Sequence, residues 1–207
     1  VGSEMCIRDR SLPVLLKRFS PANDLQTLSV QFTEIARAAL YGGYFVVNKD
    51  EYHIYLLDIE FYFHSEETDG IHEPKMYHKG NLPFFPKGTL WPHLSGVDVT
   101  FEDDEYQKYR ASFLIRGYKY IGKDGEEYIN GTDDFHPQHL WEDLFGNASF
   151  LRPSGLTIKW QSNIYSEDEP LIQSARIRMP QYESENEPRP WSCLLYTSPS
   201  PRDYAAS

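Results

Sequence analysis

The spacing of apolar residues changes period several times along the chain, and each change marks an element. Leu25, Leu28, Phe32, Ile35, Ala36, Ala39 and Leu40 recur at the spacing of an amphipathic helix. Asp24 is its expected N-cap and Gly42-Gly43 its stop. Two aromatic and β-branched runs follow, Tyr44–Val47 and Tyr52–Phe63, joined at Asn48–Glu51 as a predicted hairpin. Residues 64–87 read as a polar loop rich in Gly, Pro and His. Strands are expected at Val97–Phe101 and Ser112–Ile121, with the acidic loop Glu102–Glu105 between them. A second helix is expected over His136–Leu144, with Asp133 or Asp134 as cap, Pro137 in its first turn and Gly146 as stop. Leu156–Trp160 and Ala175–Met179 read as late strands. There is no internal repeat and no long linker, so the pattern predicts one α+β domain.

The run Tyr52–Phe63 carries the most chemistry. Side chains alternate across a strand. The odd positions His53, Tyr55, Leu57, Ile59, Phe61 and Phe63 form a mostly apolar face, expected in the core. The even positions Ile54, Leu56, Asp58, Glu60 and Tyr62 begin apolar and turn acidic, so Asp58 and Glu60 project together beside Tyr62. Paired carboxylates repel unless something compensates, and such pairs are enriched at sites; an ordinary solvated sheet face is the plainer explanation. In Ser112–Ile121, Leu114, Arg116 and Tyr118 are expected to share a face opposite Phe113 and Ile115. An arginine centred in an apolar strand requires a carboxylate partner. Glu60 and Arg116 together suit either a structural ion pair or the holding of a water with Glu60 as general base.

Charge and composition narrow this reading. The 207 residues carry Lys+Arg 20 against Asp+Glu 31, net −11, with 40% hydrophobic content. That is a globular composition, with no apolar run long enough for a membrane-spanning helix and no signal-peptide pattern. Val1–Arg10 (VGSEMCIRDR) and Cys193–Asp203 (CLLYTSPSPRD) resemble translations of transposase-type sequencing adapters. Residues 1–10 and 193–207 are therefore expected to be adapter-derived, leaving 11–192 as the domain, truncated at its C-terminus. Both cysteines, Cys6 and Cys193, fall in those ends, which removes disulfide and thiolate chemistry and suits a reducing, cytoplasmic setting.

Five of the seven histidines (His53, His64, His72, His78, His93) lie in residues 53–93, and with Asp58, Glu60 or Glu73 they offer zinc ligands. No H-E-x-x-H pair organises them, and no metal or other cofactor is expected. Neither a phosphate-binding glycine loop nor a Gly-x-Ser-x-Gly elbow occurs.

The order of these pieces resembles the alkyladenine (methylpurine) DNA glycosylase family. Ala36-Arg37-Ala38-Ala39-Leu40-Tyr41-Gly42 is similar to its A-R-x-L-L-G helix, and Leu57-Asp58-Ile59-Glu60-Phe61-Tyr62 to its V-E-T-E-A-Y strand. Glu73-Pro74-Lys75-Met76-Tyr77-His78 resembles its D-P-x-x-H loop with one residue more. Residues 88–96 echo its G-x-L-Y-V-Y…Y-G segment, and Phe113–Tyr118 its V-L-L-R-A-L strand. Pro137–Leu144 resembles its G-P-x-x-L-x-x-x-L helix, and Ala175–Met179 its A-R-V-G-V segment. The resemblance covers residues 33–180.

The resemblance implies a curved, mostly antiparallel sheet with flanking helices and a monofunctional hydrolase of base excision repair. Such an enzyme cuts the N-glycosidic bond of an alkylated or deaminated purine in DNA, without a cofactor. Glu60 would activate the water, Arg116 and the carbonyl of Ile177 would hold it, and Asp58 would support the pair. Tyr62, His78 and His93 would stack on the extruded base. The family's wedge tyrosine aligns with Ser95, its pocket asparagine with Phe101–Glu102, and Arg189-Pro190-Trp191 with the start of its terminal strand. DNA as partner requires a local basic face despite the net charge. Lys75, Lys79 and Lys87 are its expected backbone contacts, joined by Arg110 or Lys119. The alternative is a binding protein for a nucleobase- or nucleoside-like ligand on the same fold, favoured by the acidic balance and the serine at the wedge position. The expected protein is a monomer without a membrane partner.

Overall fold

The computed structural model describes residues 10–73, 76, 82–105, 108–130, 139–145, 156–176 and 189–195. Within them the chain is α+β, a curled antiparallel sheet carrying three helices. The elements run α1 (Leu12–Arg18), α2 (Leu25–Leu40), β1 (Gly43–Val47), β2 (Tyr52–Ser65), β3 (Leu90–His93), β4 (Gly96–Thr100), β5 (Tyr109–Gly122), β6 (Glu127–Asn130), α3 (His139–Phe145), β7 (Ile158–Ser162), β8 (Leu171–Ser174) and β9 (Ser192–Leu195). Strand order is β3-β4-β5-β2-β1-β7, with β6 beside β5, β9 beside β2, and β8 beside β9.

The expected helix α2 forms with its cap: the Asp24 side chain accepts the Thr27 N–H at 2.7 Å. Its apolar stripe packs on the sheet, where Phe32 stacks on Phe61 at 4.5 Å and meets Trp191 edge-on at 5.0 Å. It ends at Leu40, just before the predicted glycines, and Gly42 is needed there because a side chain would lie 2.6 Å from the Ala38 carbonyl. The β1–β2 hairpin also forms, through a turn with Asn48, Lys49 and Asp50 at φ 51, 57 and 85.

The single-phase reading of β2 is overturned. The core face is Tyr52, Ile54 and Leu56 in the first half, then Ile59, Phe61 and Phe63, while His53 and Tyr55 are only half-buried on the opposite side. The pairing of β2 with β5 explains the switch. Leu56 faces Tyr118, Asp58 faces Gly117 and Ile59 faces Ile115, so Leu57 on one strand and Arg116 on the other are each an extra residue. A bulge of this kind inverts the side-chain alternation and re-aims the residue it adds. It also moves Tyr118 onto the core face, away from Leu114 and Arg116, against expectation.

Other departures are local. The helix expected over 136–144 is seen as α3 from His139, residues 136–138 lying outside the described set. Ala175 and Arg176 are not in a strand, residues 177–179 lie outside the described set, and the late strand is β8 instead. Strand β9 runs across the junction between residues 192 and 193, with Ser192, Cys193 and Leu194 all pairing with β2.

Candidate functional site

One face of the sheet carries the helices and the apolar core. The other is polar at its centre and is covered in part by residues 82–85, whose backbone bonds Arg110 and Glu102. Across three neighbouring strands, Glu60 on β2, Leu114 on β5 and Asp98 on β4 fall in one row, and Tyr62, Ser112 and Thr100 form the next. Residues opposite one another in a sheet share a face, so both acids stand on this side.

Glu60 is wholly buried at 0% exposure. The Tyr62 hydroxyl donates to its Oε1 at 2.5 Å, and Arg116 Nη1 lies 3.8 Å from its Oε2. Asp58 stands on the same face of β2, also buried, opposite Gly117 at the bulge. The approach opposite is tight: a Cβ on Gly117 would sit 3.3 Å from the Asp58 Cβ. Thus Glu60 and Arg116 face one another as the alternation suggested, with Asp58 on the same side of β2, and the bulge displaces Tyr118 from that face. Burial, followed by the charge and hydrogen bond of Glu60, pushes the Tyr62 phenol far above its ordinary range. Tyr62 therefore remains a protonated donor to the carboxylate.

A second layer anchors this group. Arg176 Nη1 bonds the buried Glu73 at 2.5 Å and the Phe61 carbonyl at 3.2 Å. Its guanidinium lies 5.2 Å from the ring centres of both Tyr62 and Trp191. Arg189 reaches Glu73 at 3.6 Å, and the Glu73 N–H donates to His64 Nδ1 at 3.0 Å. Further along the face, Arg110 is also buried. It bonds Glu66 and the Leu82 and Pro83 carbonyls, lies 3.6 Å from Glu102, and stacks on Phe84 at 3.9 Å. Glu102 accepts the Phe85 N–H at 2.8 Å, so the first member of the supposed acidic loop is an interior residue that pins residues 82–85.

Sequence reasoning missed Asp98. It is 3% exposed, accepts from Ser112 Oγ at 2.8 Å, and pairs with His93 Nε2 at 3.0 Å. A lone carboxylate in Val97-Asp98-Val99 is the same signal as Arg116 in its strand, and reading it that way would have found it. His93, foreseen as a wall, sits on β3 beside this acid. The Ser95 N–H donates to its Nδ1 at 3.2 Å, which assigns the Nε2 proton to the bond with Asp98. At the tip of the β3–β4 hairpin, between His93 and Gly96 at φ 137, Leu94 is 96% exposed.

The other expected site residues divide in two. His78, Ile177, Lys75 and Lys79 lie outside the described residues. Lys87 is half-buried, with Nζ 3.4 Å from the Lys17 carbonyl and 3.2 Å from that of Phe19. It caps the end of α1, and burial lowers its pKa. Lys119 pairs with Glu127 at 3.5 Å. Among the described residues no three His, Cys, Asp or Glu side chains converge as a metal site, and no helix is long and apolar enough to cross a membrane. Two surface hollows, one beside Pro21, Ser65 and Lys108 and one beside Ala22, Gln26 and Val30, lie away from Glu60. Comparison with known family models, curated proteins and solved structures returns no match for this chain.

Proposed function

We propose that the protein is a divergent glycosylase that hydrolyses the N-glycosidic bond of a damaged, alkylated or deaminated purine in DNA. The observation that carries this reading is the buried Glu60, with one oxygen bonded to Tyr62 and the other facing Arg116. A carboxylate oriented by a tyrosine donor and facing a cation is the kind of group that serves as base for a water. It can remove that water's proton as the oxygen attacks the anomeric carbon. The C1′–N bond then breaks, its electrons leave with the purine, and the sugar keeps the new hydroxyl. Arg116 orients the water and offsets the charge on Glu60, and Asp58 adds to the negative field on the developing oxocarbenium ion. The bulge beside Glu60 and Arg116 is a device often found next to active sites.

The hairpin tip supports the same reading. The serine aligned with the family's wedge lies next to Leu94, an apolar side chain held out into solvent. Leucine is among the residues that proteins insert between base steps to fill the space of an extruded nucleotide.

The acidic balance and the engaged Lys87, Arg110 and Lys119 favour the alternative, a pocket for a free nucleobase or nucleoside. One experiment separates them. Duplexes bearing hypoxanthine, ethenoadenine or a methylated purine are incubated with the protein and with Glu60→Gln, and abasic sites are counted. Release that vanishes in Glu60→Gln supports the glycosylase; no release, with no salt-sensitive duplex binding, removes it in favour of the small ligand.

A further inference from the structure

On the side of Glu60 away from Leu114 and Asp98, its row continues onto β9 and β8. Ser192 stands opposite Glu60, and Ser174 stands opposite Ser192. Directly paired residues share a face of the sheet, so both serines stand on the polar side with the candidate base. Ser192 is wholly buried, and among the described residues neither its Oγ nor the buried Oγ of Ser174 has a hydrogen-bond partner. Ser192 is placed by contacts that precede it. The Trp191 carbonyl accepts the Phe61 N–H at 2.8 Å, and the Trp191 indole donates to Ser29 Oγ at 3.1 Å. On β8, the Gln173 amide donates to Thr33 Oγ1 at 2.8 Å, which ties that strand to α2.

A buried hydroxyl that makes no bond costs the fold stability unless a ligand engages it. Neighbouring strands lie about 4.8 Å apart, so Ser192 is close to the carbon at which Glu60 directs a water, and what it meets there is the sugar. Serine both donates and accepts, whereas the carboxylates of Asp58 and Glu60 only accept, so the row is rich in acceptors and calls for O–H donors. A nucleotide within DNA has no sugar O–H to give, since its 3′ and 5′ oxygens are esterified. A free ribonucleoside has one on each of C2′, C3′ and C5′. We infer that Ser192 and Ser174 form a subsite for sugar hydroxyls, and that the protein also hydrolyses free purine ribonucleosides to the purine and ribose. The water oxygen bonds C1′, the C1′–N9 electron pair leaves with the purine, and the proton taken by Glu60 passes to the departing ring nitrogen. A neutral nucleoside also needs no phosphate contacts, which suits a chain at −11. The inference rests on the N-glycosidic chemistry proposed for Glu60 and extends it to a second class of substrate.

The test uses the whole chain and inosine. The unaltered protein is expected to release hypoxanthine from inosine, and Glu60→Gln is not. Binding is measured by calorimetry in Glu60→Gln, which holds the nucleoside without cutting it. Inosine should bind about ten-fold more tightly than 2′,3′-dideoxyinosine, which lacks two of the hydroxyls. Adding Ser192→Ala should reduce that ratio to about two-fold, and adding Ser174→Ala should lower it in part. Because neither hydroxyl is bonded among the described residues, both alanine variants should keep the melting temperature. No hypoxanthine from inosine, no binding of inosine, or equal binding of the two nucleosides overturns the inference. So does a ratio undiminished in both folded serine variants. A melting temperature several degrees lower in Ser192→Ala also overturns it, since the hydroxyl would then serve the fold. Failure of the glycosylase reading is scored separately, as absence of abasic sites from every damaged duplex.

Discussion

Replacing Arg176 by methionine tests whether the polar layer behind Glu60 is an interior feature. Arg176 and Glu73 are 2.5 Å apart, with 0% side-chain exposure on each. Removing one member of such a pair costs about 3–5 kcal/mol, since the other charge stays buried without compensation. Arg189, 3.6 Å from Glu73 and partly exposed, takes up some of that deficit, so the lower end, about 3 kcal/mol, is expected. A domain of this size has about 5–15 kcal/mol of stability in all. With a urea dependence of about 2 kcal/mol per molar, the unfolding midpoint should fall by about 1.5 M. Glu73→Gln alone should behave similarly, and the double variant should recover much of the loss, with a coupling energy of about 1–3 kcal/mol. Equilibrium urea unfolding followed by circular dichroism gives all four corners of the cycle. A shift below about 0.3 M, or strictly additive losses, would refute the argument.

Other outcomes follow from single contacts. Gly43→Ala places a Cβ 2.2 Å from the Gln161 carbonyl and 2.8 Å from Trp160, so β1 and β7 must separate locally. A loss of about 1–3 kcal/mol is expected in the same urea assay. Tyr52 is held up to about 12 by burial and then by the charge of Asp143. Unfolded tyrosine ionises first, from about pH 10, so this contribution is complete below pH 10 and is lost as pH rises toward 12. Tyr52→Phe should flatten the fall in melting temperature over that interval. Leu94→Ala should leave the melting temperature within experimental error, because the side chain is 96% exposed. It should nevertheless weaken binding to duplexes with a damaged base, measured by fluorescence anisotropy. An unaltered affinity would remove Leu94 from the proposed mechanism.

How far the sequence carries depends on which residues are considered. Asp24, the spacing through Leu40 and the Asn48–Glu51 turn fixed α2 and the first hairpin, because caps, periodicity and turn chemistry act within a few residues. Glu60 and Arg116 were legible as partners, since an isolated charge in an apolar strand has few tolerable surroundings. The bulge was not. Nothing local in Leu56-Leu57-Asp58 shows that the alternation inverts there, because the inversion is set by pairing with Tyr118, Gly117 and Ile115, far along the chain. Tyr118 and His53 were misassigned for that reason alone. The fate of Lys87 was equally hidden, because the α1 carbonyls that bind it are distant in sequence. Asp98 was legible by the logic applied to Arg116, whereas the tautomer of His93 rests on a hairpin geometry visible only in three dimensions.

The central claim is that Glu60 is the base that activates water. The most direct test is the single-turnover rate of base release from a methylated-purine duplex, for the unaltered protein and for Glu60→Gln at matched folded concentration. The account predicts measurable release that falls by a factor of about 100 or more in Glu60→Gln, while the melting temperature shows the variant folded. Equal rates for the two proteins, or no release by the unaltered protein on any damaged duplex, would contradict it.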